Sequence, residues 1–125
     1  MQRTIKFRAW DKTLNKIHCW SVIENHFTFE ELLDDNFFEA MQYTGLKDKN
    51  GTEIYDGDYI RYSMRTINGS IYTHVCRVFQ HESGTWRIEG YHEDNHSYET
   101  KGTVYAAHLI CEVIGNIYEN PELAK

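Results

Sequence analysis

The chain has 125 residues, 41% hydrophobic and 14% aromatic, with 19 acids against 13 bases for a net charge of −6. A chain of this length buries roughly two thirds of its unfolded surface, so it forms one domain without a metal or disulfide staple. The acidic balance argues against a general binder of phosphate backbones, and no apolar run approaches the roughly 18 residues of a membrane span.

Cys19, Cys76 and Cys111 are odd in number and far apart. They read as reduced, buried thiols of a cytoplasmic protein. The opening MQRTIKFRAW lacks the apolar core of a signal peptide, which points the same way. Nine Tyr, six Phe and a single Pro favour strands over a helical bundle.

Ile5, Phe7 and Ala9 alternate with Lys6, Arg8 and Trp10, a period-2 strand signal. Asp11 to Lys16 is polar and turn-prone, and Ile17 to Trp20 resumes the alternation. Residues 4–22 are therefore predicted as an antiparallel hairpin, with Trp10 and Trp20 as a cross-strand aromatic pair on its outer face. Thr28 followed by Glu31 is a capping-box pattern. Phe29, Leu32 and Leu33 continue at helical spacing, which predicts one short helix whose Glu30, Glu31, Asp34 and Asp35 form a solvated face.

Gln42 to Thr44 reads as a short strand, and Asn50-Gly51 as a hairpin turn. Asp56-Gly57-Asp58 is a second corner, whose acids either cap their own turn or line a groove. Tyr59 to Met64 reads as a strand, with Asn68-Gly69 turning into Tyr72–Gln80, apolar on both faces and so predicted to be central. Arg77 on that strand needs an exit or a carboxylate partner. After Glu82-Ser83-Gly84, Trp86 and Ile88 alternate with Arg87 and Glu89. Residues 90–102 read as a long polar loop, Val104 to His108 as a strand, and Ile110 to Tyr118 as the last strand. Gly115 in that strand marks a bulge or a close backbone approach. About seven short strands with Gly-containing turns, and one helix, predict a mainly β fold: a bent antiparallel sheet or SH3-like small barrel. Within one domain, residues 1–41 supply a hairpin and short helix, 42–118 the barrel, and 119–125 a tail.

Three pieces together resemble the YopX-like family of phage and prophage proteins. They are Ile5-Lys6-Phe7-Arg8-Ala9-Trp10-Asp11, the central QYTGLKDKNGTEIYDGDYI of residues 42–60, and the closing Val113-Ile114-Gly115-Asn116-Ile117-Tyr118-Glu119-Asn120-Pro121-Glu122-Leu123. Residues 62–110 carry no matching motif. The resemblance implies a mainly β protein of a temperate phage or prophage, working in the bacterial host cytoplasm. It supplies no catalytic residue.

Known chemistries find little support. His92 and His96 lie at a usable ligand spacing, with Glu93, Asp94 and Glu99 beside them, but in a polar stretch without helical pattern or Cys, so no metal or other cofactor is expected. His18 and Cys19 are adjacent on a predicted strand and so point apart, which denies them a nucleophile–base contact. No Gly-x-Ser-x-Gly elbow or Gly-rich phosphate loop is present. The expectation is a non-enzymatic accessory protein that binds a protein partner or forms a homo-oligomer, with no membrane association. Trp10 and Trp20 are its candidate aromatic contacts. The alternative is a nucleic-acid-binding small barrel using Arg61, Arg65, Arg77 and Arg87 with Tyr59, Tyr72 and Trp86, Tyr59 and Arg61 being side by side on one strand. A contiguous basic and aromatic patch favours nucleic acid. An apolar aromatic patch rimmed by acids favours protein.

Overall fold

The computed structural model describes residues 5–92 and 97–124, with the backbone alone at 91, 92, 97–100 and 124. The chain runs β1 (Phe7–Asp11), β2 (Lys16–His18), α1 (Trp20–His26), α2 (Phe29–Leu32), β3 (Phe38–Lys47), β4 (Glu53–Tyr55), β5 (Asp58–Arg65), β6 (Ile71–Gln80), β7 (Trp86–His92), β8 (Ser97–Thr103), α3 (Val104–Ala107) and β9 (Glu112–Asn116). A 3-10 turn at Pro121–Ala124 follows. The fold is mainly β, as the sequence implies. The strands form two antiparallel sheets, β2-β1-β3-β4 and β8-β7-β6-β5-β9, and the second curls into a half-barrel.

The first sheet lies between two layers. On one face Ala9 packs with Ile23 and Leu32 of the short helices, joined by Phe7, Trp20, Phe27 and Phe38. On the other, Met41, Tyr43 and Tyr55 pack with Trp10, Ile17 and Tyr118. The half-barrel has its own core of Ile54, Ile60, Cys76, Val78, Ile88, Val104 and Cys111, closed by α3. Strand β6 is central, as its apolar composition predicts. The turn glycines Gly51, Gly57 and Gly69 have φ of +85°, +83° and +87°, a region L residues with a Cβ rarely enter.

Six expectations are corrected. The N-terminal hairpin ends at His18, because Cys19 is an extended N-cap and Trp20 opens α1. Trp20, Ile23 and Phe27, three and seven residues apart, then form a helical stripe against the sheet. The Trp10–Trp20 pair does not exist: Trp10 stacks on Tyr118 and Trp20 touches Phe7. Cys19 is exposed, whereas Cys76 and Cys111 are buried. Residues 90–92 and 97–102 are strand and not part of a loop, since β7 and β8 pair from Arg87↔Thr103 to His92↔Ser97, while residues 93–96 of the expected loop lie outside the described residues. An edge strand can be polar because one side of its ladder meets water, and Tyr98, Thr100 and Thr103 suit it. Residues 104–107 are helical because the Thr103 hydroxyl accepts from the Ala106 N–H, 3.1 Å away, and starts a turn in place of a strand. The described residues thus hold three short α-helices where one was expected.

The Thr28 capping box is present. The Thr28 hydroxyl accepts from the Glu31 N–H and the Glu31 carboxylate from the Thr28 N–H, both at 3.1 Å. A helix of one turn depends heavily on such contacts. Thr28→Ala is expected to lower stability by about 1 kcal/mol, read as a shift in urea midpoint. Thr28→Ser should retain wild-type stability; equal losses in both variants would assign the effect to the methyl group.

Candidate functional site

The residues proposed from sequence as a nucleic-acid surface do not form one patch. Tyr59 is buried, and Trp86 packs against the half-barrel core. Arg61 lies on the same face of β5 as Tyr59, as its parity requires, but its guanidinium is held by Glu112, with Nε 2.9 Å from Oε1. That pairing keeps the Glu112 carboxyl below its usual range. Arg77 has the carboxylate partner its central position demands, Glu89, at 2.8 Å from Nε. Arg87 stands between Phe79 of β6 and Thr103 of β8, and its Nε is buried without a hydrogen-bond partner among the described residues. Arg65 and Tyr72 are exposed, on opposite faces of the β5–β6 ribbon: Tyr72 is opposite Met64, and Arg65 opposite Ile71.

The three family-like pieces meet along one row of side chains. Lys6, Arg8 and Trp10 project from one face of the N-terminal strand and its lead-in. Lys6 lies over the Tyr43 ring, 4.9 Å from its centroid, and pairs with Glu53. Arg8 lies over the Tyr55 ring at 4.6 Å and pairs with Asp58. Trp10 stacks on Tyr118 with centroids 5.7 Å apart. Asp58 is fully buried, and its other oxygen accepts from the Tyr55 N–H at 2.7 Å. Burial pushes its carboxyl up to about 6, against the pull of Arg8 and the Tyr55 N–H. Asp58 therefore caps its turn, as one reading of the corner held, and also ties the two sheets together. The sequence gives no sign of the Arg8 partnership, because 50 residues separate the pair.

Asp48 makes a similar tie. Its Oδ1 accepts from the N–H groups of Asn50 and Thr52, and its Oδ2 from the Val113 N–H at 2.8 Å. The carboxylate oxygens of Asp48 and Asp58 are thus engaged within the fold, whereas the Arg8 Nε is buried without a hydrogen-bond partner among the described residues.

A different surface surrounds α2. Leu14, Phe29, Leu33 and Phe37 are each more than half exposed, at 60%, 61%, 54% and 53%. Between the Asp11–Leu14 turn and α2 lies an open cavity of about 430 Å³, lined by Leu14, Phe37 and Phe38 with Asp11, Glu31 and Asp34. Asp11 is anchored from below: it accepts from His18 Nε2 at 2.8 Å and from the Thr13 and Leu14 N–H groups. The His18 contact, followed by the Leu14 N–H, holds its carboxyl below the usual range. Glu30, Glu31, Asp34 and Asp35 have no ion-pair partner among the described residues. No Lys or Arg occurs between Lys16 and Lys47, and the cation that reaches this stretch from outside, Lys12, pairs with Glu39 and the Asp35 carbonyl.

The opposite chemistry occurs on the β5–β6 ribbon. Strand β9 pairs with β5 only over Asp58–Arg61, and β7 with β6 only over Cys76–Gln80. Beyond those points residues 63–65 and 67–73 are exposed on both faces. Met64, Ile67, Ile71 and Tyr72 display apolar surface there. No Asp or Glu occurs from Tyr59 to His81.

Catalytic groups do not converge on either surface. Burial raises the Cys76 thiol and pushes the Cys111 thiol up to about 11, which keeps both protonated and inert. Cys19 is a lone exposed thiol, lowered by its contact with the Ser21 hydroxyl at 3.2 Å. His18 is turned inward onto Asp11 and does not serve it. Among the described residues no group of three His, Cys, Asp or Glu side chains is placed to hold a metal. The suggested pair His92 and His96 lies outside the residues whose side chains are described. No helix among the described residues is long and apolar enough to cross a membrane.

The family described as YopX protein matches residues 6–125. A crystal structure of protein EF1440 from Enterococcus faecalis is similar to this chain with a TM-score of 0.61 and 21% sequence identity, covering 99% of this chain and 100% of that one. At that identity the likeness is one of fold. No curated protein matches the chain.

Proposed function

As the chain belongs to the YopX family, we propose that it is a phage- or prophage-encoded accessory protein of the bacterial cytoplasm, non-enzymatic, which binds a protein segment at the surface around α2. The observation that carries this reading is an open cavity lined by the exposed Leu14 and Phe37 with the carboxylates of Asp11, Glu31 and Asp34, next to a short helix whose Phe29 and following Leu33 are also more than half exposed. Exposed apolar clusters with a charged rim suit recognition of a partner that brings apolar side chains and positive charge. A phosphate backbone is repelled by the same rim. The nucleic-acid alternative rests on the ribbon, where Arg61 is already committed to Glu112 and Tyr72 points away from Arg65.

Pull-downs from host lysate, with and without nuclease, test the reading. Wild type is expected to retain protein partners after nuclease treatment, and Phe37→Asp to lose them while melting at the same temperature. Recovery that depends on nucleic acid, or that survives Phe37→Asp, would reject the α2 surface.

A further inference from the structure

We propose that the occupant of the α2 surface is the β5–β6 ribbon of a second copy of this chain, so that copies associate head to tail. The inference rests on the α2 surface being a binding surface and names its partner.

Among the described residues nothing covers the outer part of the ribbon. A two-stranded hairpin alone is marginal in water and gains stability from a third strand or an apolar partner. Here Met64 and Tyr72 are bare on one face, Ile71 on the other, and Ile67 at the tip is fully exposed. Among the described residues both backbone edges are also unpaired beyond Arg61 and before Cys76. Natural edge strands are normally guarded by charge or proline; this one has Arg65 and no acid. From the last body pairing at Arg61 to the turn, the ribbon reaches about 16 Å at ~3.3 Å per residue, enough to enter a neighbour.

The acceptor is complementary in kind. The α2 surface offers exposed Leu14 and Phe37 beside an open cavity, where the ribbon offers exposed Ile67, Met64 and Ile71. It offers Asp34 on the cavity wall and Glu30 on α2, with the nearby Lys12 already engaged by Glu39 and the Asp35 carbonyl; the ribbon offers Arg65, and none of Asp34, Glu30 and Arg65 has an ion-pair partner among the described residues. The segregation runs through the sequence: no cation from residue 17 to 46 and no acid from residue 59 to 81. Donor and acceptor are different patches of one chain, so the contact is heterologous and closes as a ring or continues as a chain.

Sedimentation of the full chain tests this, because each variant can be opposed by its complement. Wild type is expected to self-associate in the micromolar range. Arg65→Glu places a carboxylate against carboxylates and is expected to weaken association at least about tenfold. Asp34→Arg should do the same by placing cation against cation, and Glu30→Arg repeats that reversal without touching the Asp34 bond to the Asn36 N–H. An equimolar mixture of Arg65→Glu with either reversed acceptor opposes unlike charges at both contacts and is expected to recover association. Wild type that stays monomeric into the hundreds of micromolar, single variants that associate as wild type does, or a mixture that fails to recover, each overturns the proposal. So does salt-dependent binding of random single-stranded DNA that Arg65→Glu abolishes in a monomeric protein. A monomeric wild type that still retains nuclease-resistant partners through Phe37 would sink the second copy and leave the α2 surface standing.

Discussion

Asp58→Ala is expected to lower the unfolding free energy by about 3–5 kcal/mol, measured by urea denaturation. The substitution leaves the Arg8 guanidinium part-buried without its carboxylate and the Tyr55 N–H without its acceptor. Arg8→Met should have a loss of the same order, because it strands a carboxylate that is fully buried. The two changes remove one interaction, so the double variant should lose no more than either single. Losses that simply add would mean that Arg8 and Asp58 act independently.

The same pair sets a pH dependence. Burial pushes the Asp58 carboxyl up to about 6 from 3.8. The folded state therefore holds this proton more tightly than the unfolded state. The linked stability is fully present below the unfolded value and is lost as pH rises through the folded one. Burial raises Asp56 too, which adds in the same sense. Acidifying from about pH 7.5 to about pH 5 should thus stabilise wild type by about 1–3 kcal/mol from this source, and Asp58→Asn should lack most of that gain. Asp11 and Glu112 are lowered, so their opposite contributions act only below the window. An identical pH response in wild type and Asp58→Asn would show that Arg8 holds the carboxylate charged throughout.

Gly115→Ala is expected to be comparably damaging, by about 2–4 kcal/mol. A Cβ at this position meets Asn120 Cγ at 2.7 Å and Asn120 Cβ at 3.0 Å. Asn120 cannot retreat freely, since its Oδ1 accepts from the Asn116 N–H. Asn116 in turn accepts from the Tyr118 and Glu119 N–H groups, so the clash propagates through the closing turn to the Trp10–Tyr118 stack. Of the two alternatives expected of this glycine the bulge is present, since Tyr59 faces Gly115 and Ile60 faces Val113 with Ile114 extra, and the group that crowds it is the Asn120 side chain. The variant should melt earlier and lose the spectroscopic signature of Trp10 stacked on Tyr118. Gly115→Ser melting like wild type would disprove the steric account.

The acceptor surface and the ribbon had a sequence signal that a residue-by-residue search passes over. The acids at Glu30 to Asp35 read as a solvated helix face, and only their lack of any cation out to Lys16 and Lys47 sets them apart. The same holds for the acid-free run around Arg65. Whether such runs are neutralised depends on what the fold brings alongside, as Glu112 does for Arg61 and Glu89 for Arg77.

By itself the sequence determined what is settled within a few residues. Gly51 after Asn50, and Gly57, take the positive φ that fixes their turns; Thr28 and Glu31 satisfy each other's backbone; the largely apolar stretch from Val75 to Phe79 marks the central strand. Only the tertiary structure decided the rest. Residues 97–103 are too polar to read as a strand, and become one because β7 supplies a partner edge. Trp20 leaves the hairpin for a helix because Ile23 and Phe27 share its burial. Asp58 looked like a turn cap and is also a buried anchor because folding delivers Arg8 to it. Turn geometry and capping are local energies; burial and charge pairing depend on partners that the chain order does not place nearby.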